Sequence, residues 1–408
     1  MESPTVSTQS RALILLIGVP VSLVAFNALQ LITISAPLRV ASVGFFIART
    51  VAFLVVVVIT IAVSPLLSVP LLRTRFVTSL AVVALTILGF TISWANDNGH
   101  YQLYFALFST VTLLCIVHTA CVLDSVVVTP HTSSERRPDM PAALLIIGLG
   151  TIVELWTGGT GQALLIVAAT LVLLFLGNAP MSTLRSTFGA GLLVTLALIL
   201  SSPYRRQRVL SFLHPTSSGA YAEFQGRAFM AVGAWFGVGL GRGHSVYGYV
   251  PYIGSNERLV FVVEETGLVG GMVVLGALTA LMVNCFRRSG GVENCKWSYA
   301  LGAWALVSTV ISAGSALELI PAANVQLPFF DFTFTANIVG GGLLGLAISE
   351  RWKYPTNGRW LGYSRKPRRT NRQLINGVAI EVYDQDHGDG SRGGGAYDQD
   401  AAIGREDV

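Results

Sequence analysis

Apolar runs of nearly bilayer-spanning length alternate with short polar breaks along most of this chain. A helix needs about 20 apolar residues to cross a hydrocarbon core. The pattern predicts about ten such helices, at roughly 12–35, 41–64, 77–95, 102–127, 141–156, 161–177, 184–202, 259–285, 297–317 and 333–349. The fold class is therefore an all-α polytopic membrane protein. The first run is too long for the apolar core of a signal peptide and has no small-residue cleavage site, so it counts as a span.

The longest polar interruption, 203–258, reads as a large extracellular loop between helices seven and eight. Inside it Ala222, Phe224, Ala228, Phe229, Val232 and Trp235 recur at near-helical spacing, which predicts an amphipathic segment in the interface plane. Glu154, Trp156 and the run Thr157 to Gly161 predict a tight outer turn. Between Glu318 and Phe332, Pro321 and Pro328 interrupt the apolar pattern. Non-helical backbone at that depth needs protein or a water-filled cavity against it. Residues 1–350 thus form one transmembrane domain. The tail, 351–408, is first basic and aromatic, then low in complexity, and its acidic part is expected to be disordered.

Composition agrees: 52% of residues are hydrophobic and 12% charged, against about 25% charged in soluble domains. The net charge of +5 matters less than its placement. Arg73, Arg75, Arg136, Arg137, Arg287, Arg288 and Lys296 fall in alternate loops, and Arg365 to Arg369 in the tail, so these loops and both termini are expected to be cytoplasmic. The basic tail suits anionic lipids, and no nucleic-acid partner is expected. The outer loop breaks the rule with Arg205, Arg206, Arg208, Arg227, Arg242 and Arg258, which fits either a bound anion or snorkelling to headgroups. Cys115, Cys121, Cys285 and Cys295 make no disulfide framework, and no Cys/His cluster has zinc spacing.

One stretch organises the chain. Phe236 to Gly241 reads Phe-Gly-Val-Gly-Leu-Gly, Tyr249-Val250-Pro251 follows, and Glu264 to Gly270 reads Glu-Glu-Thr-Gly-Leu-Val-Gly. The glycine run follows no strand, so it reads as tight backbone packing and not as a dinucleotide fingerprint. Two more blocks are Pro203-Tyr204-Arg205 leading to Phe212-Leu213-His214-Pro215, and Leu319-Ile320-Pro321 followed by Leu327-Pro328-Phe329. In spacing and residue type these blocks resemble the SEDS family, the FtsW, RodA and SpoVE proteins. The resemblance lies mainly in the second half of the chain.

That resemblance implies a bacterial plasma-membrane glycosyltransferase that polymerises lipid II, the undecaprenyl-linked peptidoglycan precursor. It also implies a single-pass class B penicillin-binding protein as partner, with other division or elongation proteins nearby. Arg205, Arg206 and Arg208 would then clamp the diphosphate. Gln225 would meet a sugar, and Arg49, Arg242, Glu264 and Glu265 would line the substrate site. Arg49, inside a span, also fits pairing with Glu154 or Glu318. No cofactor is evident, and a divalent cation at the diphosphate stays open.

The chain departs from the family where the chemistry lies. The family's motif aspartate falls at Asn256, the glutamate of that motif at Tyr252 and its histidine at Gly254. The aspartate of the family's Pro-Asp-x-Gly-Thr turn falls at Gly159. An amide cannot act as a general base near neutral pH, which leaves Glu257 as the candidate, with Asp331 as a second carboxylate near the outer face. The backbone-shaping glycines and prolines persist while chemical side chains change. Two alternatives follow: an inactive homologue that scaffolds wall synthesis, or a flippase for a lipid-linked sugar.

Overall fold

The computed structural model describes residues 6–38, 43–64, 110–120, 140–156, 160–177, 179, 181–213, 221–244, 258–287, 296–321, 323, 325–330, 335–353, 371–375 and 378–382. The chain divides into two units, Met1–Gly358 and Arg359–Val408.

The first unit is helical. Its described helices are α1 (Val6–Leu38), α2 (Val43–Val63), α3 (Thr110–Ala120), α4 (Met140–Trp156), α5 (Thr160–Leu176) and α6 (Met181–Ser201). They continue with α7 (Pro203–Leu213), α8 (Tyr221–Gly233), α9 (Arg258–Phe286), α10 (Lys296–Ala316) and α11 (Thr335–Lys353). The expected spans overlap these helices, with only 110–120 described of the span 102–127, and the span 77–95 lies outside the described residues. Four described helices, within α1, α6, α9 and α10, are long and apolar enough to cross a membrane.

The helices pack where small residues let backbones approach. Gly341 and Gly345, one turn apart on α11, face Phe53, Val57 and Thr60 of α2. Such spacing is a common device for helix contact in membranes, where lipid supplies no competing hydrophobic drive. α9 packs against α1, α8 and α10, and α5 against α4, α6 and α10. The core between them is apolar, with Phe53, Trp304, Leu278, Leu301 and Leu343 buried. Glu350 of α11 is buried as well, and its carboxylate accepts from Trp297 N at 3.2 Å and from Ser298 N and Oγ at 3.0 Å each. It thereby serves the unpaired donors at the start of α10.

The irregular segment after α10 is backed by protein. Phe330 N donates to Leu327 O at 3.0 Å across a turn with Pro328 at its second position and Phe329 at φ 63°. A phenylalanine holds that left-handed position because both rings are fully buried. Phe329 meets Trp304 edge-on at 5.6 Å and Phe53 at 6.3 Å, and Phe330 meets Phe26 at 5.9 Å.

In the second unit β1 (Asn371–Ile375) and β2 (Val378–Val382) form an antiparallel hairpin, with Asn371 opposite Val382 and Ile375 opposite Val378. The tail composition suggests no strand. Val378, Ile380 and Val382 nevertheless supply the β-branched alternation that favours one.

Candidate functional site

Two of the sequence blocks meet at a break in α9. Gly267 has φ 75° and ψ −179°, which interrupts the helix inside a membrane-type segment. A break there strands backbone groups that lipid cannot serve. The glycine run serves them. Val238 N donates to Glu264 O and Gly239 N to Glu265 O, each at 3.0 Å. In return Leu268 N donates to Ala234 O at 2.9 Å and Val269 N to Trp235 O at 3.2 Å. This approach leaves no room for side chains. A Cβ at Gly237 would overlap the Glu265 carbonyl, and one at Gly267 the Trp235 carbonyl. The reading of the run as close backbone packing therefore holds, and the structure shows what it packs against.

The two glutamates complete the junction. Both are buried. Glu264 Oε1 accepts His244 N and Glu265 Oε1 accepts Gly241 N, each at 2.6 Å. Glu265 Oε2 also accepts Gln30 Nε2 of α1 at 3.1 Å. Both carboxylates sit two turns inside α9, where they bind the loop and α1.

Arg258 starts α9 and is buried, not displayed in an outer loop as the charge pattern suggested. Its guanidinium donates to Asn27 Oδ1 of α1 and lies 5.3 Å from the centre of the Phe261 ring. Sequence reasoning gave Asn27, Gln30 and Arg258 no place among the site residues. Their signal was present, since Asn27 and Gln30 share a helix face inside an apolar run.

The arginines of the Pro-Tyr-Arg block lie on α7. Helical spacing puts Arg205 and Arg208 on one face and Arg206 off it. Arg205 and Arg208, both half-buried, line a cavity of about 330 Å³. Its wall is apolar, with Leu155 and Leu164 on the α4–α5 side, Val194 and Ile199 on α6, and Ile320 and Pro321 beyond α10. Arg205 Nη2 donates to Leu155 O at 3.3 Å. Gly161 of α5 abuts the Ala323 backbone, and Gln162 Nε2 donates to Gln326 Oε1 at 3.3 Å. The cavity thus combines a lipid-like wall with two guanidinium groups, a fit for an anionic head on an apolar chain.

Other expected residues fall elsewhere. Arg206 and Arg242 are exposed, and Gln225 is half-buried on α8. Arg242 N closes a turn onto Gly239 O at 3.2 Å. α8 forms where amphipathic spacing predicted it, and Phe229 and Met230 pack on Leu259, Val260, Val263 and Ala316. Glu154 lies in the last turn of α4, inside the expected span 141–156; it is buried and accepts from Thr112 Oγ1 at 3.1 Å. Glu318 pairs with Arg227 at 2.6 Å. Arg49 is in α2, with its side chain outside the described residues. Asn256, Glu257, Asp331 and Arg365 to Arg369 also lie outside them. Among the described residues no three His, Cys, Asp or Glu side chains gather to hold a metal ion.

Fold and site together define a multi-pass helical membrane protein with a glycine loop closing a broken helix and an apolar cavity lined in part by two arginines. A family model for the FtsW, RodA and SpoVE proteins, described as Cell cycle protein, matches residues 12–349. The chain belongs to that family. It is 29% identical over 209 residues to a probable peptidoglycan glycosyltransferase FtsW of Allochromatium vinosum, covering 48% of this chain and 52% of the relative. It is 30% identical over 193 residues to the protein of the same name in Shewanella sediminis, covering 45% and 44%. The chain spans about half the length of those two relatives. A third, from Marinobacter nauticus, is 25% identical over 283 residues, covering 66% of this chain and 69% of the relative. The fold is similar to that of a chain in the solved structure "Structural coordination of polymerization and crosslinking by a peptidoglycan synthase complex", with TM-score 0.52 and 20% identity over 83% of this chain and 98% of that one.

Proposed function

We propose that this protein is a peptidoglycan glycosyltransferase that polymerises lipid II at the outer face of a bacterial plasma membrane. The observation that carries the reading is the apolar cavity that Arg205 and Arg208 help to line. The isoprenoid chain lies along the apolar wall and the diphosphate meets the two guanidinium groups, whose planar forks suit phosphate oxygens. An acceptor sugar hydroxyl attacks the anomeric carbon of the growing chain. The bond to the diphosphate breaks, and the lipid diphosphate leaves with its charge stabilised by the arginines. Glu257 takes the hydroxyl proton, in the place of the family aspartate that Asn256 has replaced. The partner is a single-pass class B penicillin-binding protein. Both termini are cytoplasmic, and the basic run Arg365 to Arg369 holds the tail on anionic headgroups.

Asn256 favours a second reading, a homologue without catalysis that scaffolds wall synthesis. Lipid II polymerisation by the purified protein with its partner separates the two, comparing wild type with Glu257→Gln and Asn256→Asp. Product from wild type and none from a folded Glu257→Gln variant supports the enzyme. An inert wild type, whatever Asn256→Asp restores, rejects it in favour of the scaffold.

A further inference from the structure

The cavity that Arg205 and Arg208 help to line has a limited depth. Its α5 wall runs from Thr160, at the start of that helix, to Val167, and its α6 wall from Ile199, near the end, back to Gly191. At about 1.5 Å per residue these walls are about 10 and about 12 Å long, roughly a third of a hydrocarbon core of about 30 Å. At Gly191 the two helices meet. A Cβ there would lie 2.6 Å from Val167 Cγ1, so the valine fills the space that a side chain at 191 would take. The α4 wall goes no further than Thr151, whereas Arg205 donates to Leu155 O one turn nearer the end of that helix. The threonines at depth offer no spare proton. Thr151 Oγ1 donates to Ile147 O at 2.7 Å and Thr195 Oγ1 to Gly191 O at 2.8 Å, each within its own helix. A cavity of about 330 Å³ is small among ligand sites of about 300–1,000 Å³, and too small to enclose an undecaprenyl chain.

We propose that Val167 and Gly191 are specificity-determining residues: their contact is a floor that limits the site to a diphosphate and the nearest isoprene units, about two by length. The rest of a longer chain lies in the bilayer. This rests on the function proposed above, in which the cavity takes a lipid-linked diphosphate.

Dimethylallyl, geranyl, farnesyl and geranylgeranyl diphosphate, titrated by calorimetry into the full-length protein in lipid nanodiscs, test it. Each result is the ratio of variant to wild-type Kd, in which partition of the probe into lipid cancels. Val167→Phe raises the floor. It is expected to leave dimethylallyl diphosphate unchanged and to weaken geranyl diphosphate about tenfold, with no greater loss for geranylgeranyl diphosphate. Val167→Ala lowers the floor and is expected to favour farnesyl over geranyl diphosphate about threefold relative to wild type. Equal losses at all chain lengths, or none at any, overturn the floor and leave the substrate reading standing. A loss that keeps growing from geranyl to geranylgeranyl means that the chain runs past Val167, and overturns the floor as well. Should Val167→Phe not fold, Val167→Ala decides alone, and an unchanged ratio then overturns the floor. A double variant, Arg205→Ala with Arg208→Ala, that binds all four probes as wild type does rejects the substrate reading and the floor with it.

Discussion

The main-chain N–H of Gly241 donates to Oε1 of Glu265 at 2.6 Å, while Gly239 N donates to the carbonyl of the same residue at 3.0 Å. One glutamate thus binds the loop with both its side chain and its backbone. It can offer the carbonyl only because Gly267 breaks the helix two residues later. The glycine run and the Glu-Glu-Thr-Gly-Leu-Val-Gly block are two halves of one joint.

Gly267→Ala should damage that joint. Its φ of 75° suits glycine alone, and a Cβ would overlap the Trp235 carbonyl. Strain at such a position costs about 2 kcal/mol or more. Thermal unfolding of the purified protein should show a clearly lowered midpoint, and Gly237→Ala should match it. Gly276, with open space around its Cβ position, is the control: alanine there should leave the midpoint near wild type.

Arg205→Ala and Arg208→Ala should each weaken binding of a lipid-linked diphosphate about tenfold, the worth of a charge-assisted hydrogen bond or more. Arg206→Ala should leave affinity unchanged, because its side chain is off the cavity face. Titration of an isoprenyl diphosphate in nanodiscs reads the difference. Equal losses at all three positions would mean a general surface charge effect.

Glu350→Ala should destabilise the helical unit by about 2 kcal/mol, since it leaves buried donors at Trp297 and Ser298 unmet. Glu350→Gln keeps one acceptor and should cost roughly half of that. Thermal unfolding of the three proteins in one detergent gives the order.

The ion pair between Arg227 and Glu318 should contribute little despite its 2.6 Å length. The Arg227 side chain is 53% exposed, and solvent-facing pairs contribute below about 1 kcal/mol. Glu318 also sits at φ 54° just after α10, where glycine is at ease. Glu318→Gly should therefore stay within about 1 kcal/mol of wild type, with the backbone gain offsetting the lost pair. High salt should abolish the effect of Arg227→Ala.

Much of the fold was legible because hydropathy reports it directly. The ends of α4, α9 and α10 lie close to where apolar runs and turn residues placed them. Amphipathic spacing found α8, and helical spacing separates Arg206 from Arg205 and Arg208 once α7 is known to be a helix. The partners of Glu264 and Glu265 were not legible. They depend on which turn of α1 faces α9, and hydrophobic periodicity says little when a helix is apolar all round. Arg258 reads as an outer-loop residue for a related reason: charge counts assume exposure, and this arginine is buried against Asn27.

The break at Gly267 also bears on how the protein is made. α9 enters the membrane with main-chain donors and acceptors that its own turns cannot use. The residues that meet them, Ala234 to Gly239, precede it in the chain, so they have left the ribosome by the time they are required. Had the complementary strand of backbone come from a later segment, α9 would wait in the bilayer with those groups bare. Order of synthesis and hydrogen-bond pairing therefore run in the same direction, and the helix is complete on arrival.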